Sequence, residues 1–320
     1  MALPSTAQSI RSPIVQTLRD RPVFILGVSR SGTTLMRKIL NSSEELAICD
    51  ENNFLGDVIE SEGVRQKLRR FGDLRLDENA RRAVEALYNG VLAGRFRGDP
   101  KSHWKWITRK VPREEFLRRL LASDRSERSL FRIMMEVYAD HRQKPGIGEK
   151  TPAHVRYVPT ILEWFPECRI VHMVRDPRAV FVSDLRRRWA EPVTPPYREL
   201  KHSRALFKLY VLLYTTAVWF DSVRRLSHYS RQYSSNYQVV RFEDLVSQPE
   251  KEIRQVCRFI GVGFTPRMVR QKVVSRGFAM GQSGFDRHAA DRWRQQIDSW
   301  SNAWLSTCLS RQMKRLGYTR

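Results

Sequence analysis

The chain is poor in cysteine. Cys49, Cys168, Cys257 and Cys308 are scattered over 320 residues with no CxxC pair. That excludes a disulfide scaffold and a cysteine-based zinc site, and it suits a reducing compartment. The seven histidines show no metal-ligand spacing either, so no metal is expected. No apolar run reaches the length of a membrane span. The longest, Leu209 to Phe220, carries Thr and Tyr and predicts a buried helix. No repeat recurs at a fixed period, and no low-complexity linker divides the chain. The opening segment, MALPSTAQSIRSPIVQTLRDRP, lacks the apolar core of a signal peptide, so the expectation is a soluble, cytoplasmic protein. Neither a zinc finger nor an RNP-type aromatic strand is present, which argues against nucleic acid as the partner.

Acidic residues are also in deficit. There are 57 Lys and Arg against 34 Asp and Glu, a net charge of +23. Much of the excess is arginine on helical stretches, as in Arg186-Arg187-Arg188 and Arg118 to Arg128. Such a surface attracts nucleic acid, anionic membrane or an acidic substrate. A cofactor with several negative charges accounts for a basic cleft, and the remainder points to an anionic acceptor.

One more absence is specific. In FILGVSRSGTTLMRKIL (24–40) an apolar strand ends in a glycine, and small hydroxylic residues lead into a helix. Backbone N–H groups and the helix N-terminus converge on an anion in such a turn. Gly27 and Gly32 have the spacing of a Walker loop, GxxxxGK[ST], but Thr33 stands at the lysine position. That lysine reaches the outer phosphates of a nucleoside triphosphate, and its loss argues against ATP or GTP. The basic residue sits inside the loop instead, at Arg30. A second strand–turn–helix follows at 166–189, PECRIVHMVRDPRAVFVSDLRRRW. Arg175 ends its strand, Pro177 suits the first helical turn, and Ser183 lies eight residues beyond Arg175.

The RSGTT loop resembles the 5′-phosphosulfate loop of the sulfotransferases that use 3′-phosphoadenosine-5′-phosphosulfate (PAPS). The Arg175–Ser183 pair resembles the family's grip on the 3′-phosphate. VRFEDL (240–245) resembles the family's Y-E-D-L segment, with Phe242 where an aromatic residue lies near the adenine. EKTP (149–152) resembles a turn found in the tyrosylprotein-type and bacterial enzymes, whose motif order the chain follows. The resemblance covers 30–50 and 147–190 well, 237–260 moderately, and 55–145 hardly at all. It implies an α/β fold, a P-loop-like parallel sheet flanked by helices, in one domain (21–320) after an N-terminal arm (1–20).

It also implies a site. Arg30, Ser31, Gly32, Thr33 and Thr34 would hold the phosphosulfate, and Arg175, Ser183 and Phe242 the rest of PAPS. PAP would be the product, and a hydroxyl-bearing molecule the acceptor. Glu51 falls at the position of the tyrosylprotein-type glutamate base, with Asp50 read as a helix cap. Lys150 and Arg30 would set positive charge against the sulfonate or the bridging oxygen. Arg287 to Arg294 (RHAADRWR) is the candidate for the family's C-terminal basic segment. His103 and His154 lie outside any matching motif and are read as structural. Trp104, Trp106 and Trp189 are candidates for an acceptor pocket within helical regions 55–145 and 190–235. Two other readings stand beside this one: a P-loop kinase or NTPase relative, and a non-catalytic basic protein that binds an anion or nucleic acid on the same fold.

Local signals predict strands over 23–26, 47–49, 170–174 and 237–241. They predict helices over 33–42, 60–71, 80–91, 114–121, 129–141, 155–164, 203–226 and 249–260, and a turn over 148–152.

Overall fold

The computed structural model describes residues 18–56, 63–90, 103–191, 195–270 and 284–318. Five strands form one sheet: β1 (Val23–Gly27), β2 (Leu46–Cys49), β3 (Gly146–Lys150), β4 (Arg169–Val174) and β5 (Tyr237–Arg241). Their order is β2-β3-β1-β4-β5, and every pairing is parallel. The α/β parallel sheet flanked by helices expected from the sequence is therefore what the chain forms. Strands connected by helices bury both sheet faces, which is why β1 is apolar throughout. Its side chains alternate between two cores: Phe24 and Leu26 pack toward one face, Val23 and Ile25 toward the other. The chain leaves β1 toward β2, returns through β3, and crosses to β4 on the other side. Loops after β1 and β4 thus lie side by side at the carboxyl edge, where such sheets bind ligands.

The EKTP segment departs from expectation. Glu149 and Lys150 are not in a turn; they end β3, which lies between β2 and β1. Two glycines and a charged pair in five residues hid this strand. The glycines are what let it enter the sheet, because a Cβ on Gly148 would lie 2.4 Å from Val23 O and one on Gly146 2.7 Å from Glu45 O. Gly148→Val is expected to cost about 3 kcal/mol, the upper end of overpacking, read as a lower denaturation midpoint. An unchanged midpoint would show that β3 has room there.

The predicted 203–226 helix is a 29-residue helix, Arg204–Gln232, capped by the Ser203 side chain. By length and composition it could cross a membrane, which the run of apolar residues alone had not shown. One of its faces is buried against the Pro177–Ala190 helix and the C-terminal helices through Phe207, Val211, Trp219 and Val223. Val155–Trp164 is a 3-10 segment, Pro152–Tyr157, followed by the helix Val158–Trp164. The predicted 60–71 helix is, among the described residues, a short helix Val64–Leu68 followed by a 3-10 turn Arg69–Phe71, and residues 1–17 of the arm lie outside them.

Candidate active site

The loop after β1 is built by glycines at two forced positions. Gly27 has φ 140° and passes so close to β4 that a Cβ would lie 2.3 Å from Met173 O. Gly32, at φ 94°, opens the Thr33–Asn41 helix, which has no side-chain cap. Its first N–H groups are therefore left for a ligand or water. Between the glycines, Ser31 N donates to Val28 O at 3.1 Å, and Arg30 takes a left-handed backbone at φ 74°. Ser31 Oγ is buried and has no hydrogen-bond partner in the protein. Thr33 is buried and Thr34 exposed.

The loop after β4 meets this one directly. Arg175 Nη1 donates to Arg30 O at 3.0 Å, and Nη2 donates to Ala289 O at 2.7 Å. Its Nε is buried without a partner. Burial pushes the Arg175 guanidinium down to about 10, against the opposing pull of Glu243. Arg30 Nε donates to Ser183 Oγ at 3.0 Å. Arg30, Arg175 and Ser183, assigned from sequence to two separate phosphate positions, thus form one contiguous cluster. Ala289 brings the 287–294 segment to it, and Trp293 of that segment lies 4.2 Å under the Arg178 guanidinium.

Phe242, which the resemblance sets near the adenine, stands at the start of the helix Phe242–Ser247 that follows β5. It is buried, its ring face lies 4.1 Å from the Arg175 guanidinium, and its edge abuts Gly32, where a Cβ would come within 2.6 Å. Sequence reasoning also passed over its neighbour Glu243, which accepts from Asp176 N at 2.9 Å and from Tyr318 hydroxyl at 3.0 Å. Glu243 thereby fixes the turn that follows Arg175, while Asp176 caps the next helix by accepting from Arg178 N. Burial raises the Glu243 carboxyl above its ordinary range.

A second cluster stands at the ends of β2 and β3. Lys150 Nζ lies 2.5 Å from Glu51 Oε1 and 2.8 Å from Asp50 Oδ1. Asp50 Oδ2 also accepts from Arg37 Nη2 at 2.9 Å. Asp50 is therefore no helix cap; it joins two cations, and residues 51–56 are not helical. Burial works against the Lys150 charge, but Glu51 and Asp50 outweigh it and raise its pKa above that of an ordinary lysine. Burial likewise works against the Asp50 carboxylate, and Lys150 and Arg37 outweigh it, lowering its pKa. Lys150 is 2 % exposed at its side chain and Glu51 45 %, so the carboxylate faces outward with the ammonium behind it. Arg37, overlooked in the sequence, is the last residue of the RSGTTLMR motif.

His103 and His154 serve the frame. His154 is buried, pairs through Nδ1 with Glu149, and accepts from Leu55 N at 3.3 Å. Thr151 Oγ1 donates to Glu149 Oε2 at 2.7 Å and accepts from Asn52 N at 3.2 Å, so this network grips the strand end that carries Glu51. His103 is buried, donates through Nε2 to Met134 O at 3.0 Å and stacks on Trp106. Burial lowers its pKa to about 4. Trp104 is buried and donates to Asn52 O at 2.7 Å, and Trp106 packs on Tyr138, so both belong to the frame. Trp189 stacks edge-on to Phe207. Among the described residues no group of three or more His, Cys, Asp or Glu is arranged to hold a metal ion.

A five-stranded parallel sheet flanked by helices, with a glycine-turned helix N-terminus beside a strand-end arginine, defines a protein of the α/β class. More specifically, residues 22–266 match the model of the sulfotransferase family, and the chain belongs to that family. It is 29% identical over 150 residues to an omega-hydroxy-beta-dihydromenaquinone-9 sulfotransferase of Mycobacterium bovis, covering 44% of this chain and 36% of that protein. It is 27% identical over 161 residues to carbohydrate sulfotransferase 4 of Mus musculus, covering 47% and 41%. A putative protein-tyrosine sulfotransferase of Caenorhabditis briggsae is 22% identical over 251 residues, covering 78% and 69%. The match thus spans little more than a third of the first of these relatives. In fold, the sulfotransferase domain from the curacin biosynthetic pathway superposes with a TM-score of 0.56 at 20% identity, covering 93% of this chain and 98% of that one. The sulfotransferase domain from the Synechococcus PCC 7002 olefin synthase gives 0.53 at 19% identity, covering 91% and 94%.

Proposed function

We propose that the protein moves a sulfuryl group from PAPS to a hydroxyl acceptor and releases PAP. The observation that carries this is a set of unused donors at one sheet edge. They are the uncapped N-terminus of the Thr33–Asn41 helix, the buried Ser31 hydroxyl and the buried Arg175 Nε. Orphaned donors of this kind cost free energy unless a ligand or water meets them, and the anionic groups of one nucleotide fit them. The 5′-phosphosulfate suits the loop of Arg30, Ser31, Gly32, Thr33 and Thr34. The 3′-phosphate suits Arg175 and Ser183. Phe242 contributes as the platform that seats Arg175.

In the transfer, the acceptor O–H bond breaks and its proton passes to Glu51. The acceptor oxygen bonds to sulfur, the bond from sulfur to the bridging phosphate oxygen breaks, and that electron pair stays on PAP. Arg30 sets positive charge beside the leaving group, and Lys150 holds the Glu51 carboxylate in place and adds to the local field. The acceptor presents a hydroxyl, and the excess of cations favours an anionic one. A labelled-PAPS transfer screen across sugars, phenols, lipids and peptide tyrosines tests the reading. ATP-dependent turnover with no transfer from PAPS would overturn it.

Binding gives a test that needs no acceptor. PAP at a hundred times its dissociation constant should stabilise the fold by about 2.7 kcal/mol, seen as a rise in melting temperature. AMP, lacking the 3′-phosphate, should do much less. Arg175→Ala should weaken PAP binding more than Ser183→Ala, since a hydrogen bond to a charged group contributes about 1.5–3 kcal/mol and a hydroxyl less. Equal losses in titration would show the 3′-phosphate site to be elsewhere.

A further inference from the structure

The outer face of the Arg204–Gln232 helix carries an apolar stripe that nothing among the described residues covers. Leu206, Leu209, Leu213 and Phe220 are between 38 and 54 % exposed, as is Trp300. Ala217, also exposed, completes the row. These positions recur at three- and four-residue spacing and so share one side of the helix. Trp300 belongs to the same surface. It packs on Trp304, with ring centroids 5.9 Å apart, and Trp304 Nε1 donates to Thr216 Oγ1 at 3.1 Å.

The stripe runs into a basic cavity. The row continues through Arg224, His228 and Arg231, and with Arg225, Arg315 and Gln312 these line a cavity of about 430 Å³. Among the described residues no acidic side chain lines it. The one acid on the helix, Asp221, is engaged by Arg156 at 3.0 Å, Arg225 at 3.1 Å and more loosely by Arg224 at 3.7 Å, three cations to one carboxylate. At the other end of the row stand the exposed Lys201, His202 and Arg204. An apolar strip bounded by cations at both ends, on a chain of net charge +23, repels a second copy of itself. It matches an anionic bilayer, whose acyl boundary accepts the leucines and whose phosphates meet the arginines.

We propose that this face docks on an anionic phospholipid membrane, with the helix lying in the plane of the interface and a lipid phosphate in the arginine-lined cavity. The helix does not cross the bilayer, because its opposite face is packed in the core. The face is also tied to the site: Trp219, beside Phe220 but pointing inward, donates through Nε1 to Arg175 O at 2.9 Å. Docking on the opposite face therefore sets the sheet edge proposed for PAPS behind this helix, about one helix diameter from the membrane surface.

Vesicle flotation tests this independently of the transfer reaction. The full chain should float with phosphatidylcholine–phosphatidylglycerol vesicles and not with phosphatidylcholine alone. Leu209→Ser, Leu213→Ser and Phe220→Ser together should lower the partition coefficient by about a hundredfold. Arg224→Ala with Arg315→Ala should lower it about tenfold and reduce its salt dependence. Both variants should stay folded, with a single cooperative melting transition, since none of these side chains is fully buried. Failure of the wild-type chain to float with anionic vesicles would overturn the proposal. So would a serine variant that floats as well as the wild type. A wild-type dimer in sedimentation velocity that the serine variant converts to monomer would assign the stripe to a second copy instead.

Discussion

Glu51→Gln is expected to lower turnover by about a hundredfold or more while PAP binds as it does to the wild type. Glutamine keeps the length of the side chain and an oxygen for Lys150, but it cannot accept the acceptor's proton. The expectation rests on position: Glu51 leaves the end of β2, is turned outward, and is held at one oxygen by Lys150 at 2.5 Å. Single-turnover measurement with preloaded PAPS isolates the chemical step from product release. Normal turnover with the true acceptor would move the base elsewhere. His103 and His154 would be poor replacements, since both are buried and already bonded to Met134 and to Glu149.

Lys150→Met should damage both stability and turnover. Methionine retains much of the buried stem but removes the cation that Asp50 and Glu51 share, leaving Arg37 on Asp50 alone. Breaking a buried ion pair costs about 3–5 kcal/mol, and the partial exposure of both carboxylates puts this case near 3. The pH dependence distinguishes ion pairing from packing. Asp50 has its pKa lowered in the fold, so its contribution is present above the ordinary carboxylate range and is lost as pH falls through the folded value. Lys150 has its pKa raised, so its contribution is complete below the ordinary lysine value and is lost as pH rises through the folded one. The stability gap between wild type and variant should therefore be flat from about pH 5 to 9 and narrow on either side. A gap that does not change with pH would mean the lysine acts only by filling space.

The parts of this protein that were legible in its sequence are those where local chemistry and tertiary role agree. The loop from Gly27 to Thr34 and the VRDPRA turn carry their own backbone constraints: glycines at positive φ, and a proline behind an aspartate cap. They were found by type and spacing. Tyr237–Arg241 and Pro249–Ile260 likewise follow from apolar patterning. Strand β3 was not legible, because Gly146 and Gly148 are there for close packing against Glu45 and Val23, and the strand carries almost no apolar signal. Contacts across long sequence separations were also hidden. Nothing in 149–150 announces Asp50, nothing in the loop announces Ser183 as the partner of Arg30, and Arg37 reads as an ordinary helix cation. The buried position of Phe242 depends on Arg175 and Gly32, which only the parallel register brings together.

Arg37, Asp50, Lys150 and Glu51 form a row of alternating sign, with two cations and two anions in contact. In its resting form the row is electrically neutral and projects little field of its own. In the proposed transfer, the arrival of a proton on Glu51 changes that: the row gains one unit of positive charge at its outward end. Over the same interval the departing bisphosphate gains one unit of negative charge at the neighbouring loop, where Arg30 lies within electrostatic reach of Glu51. The two changes compensate across the sheet edge, so the protein interior sees a charge displacement and not a net accumulation. A row that began with unpaired charge would have been committed to one side of the reaction; a neutral one can answer to either direction of proton movement.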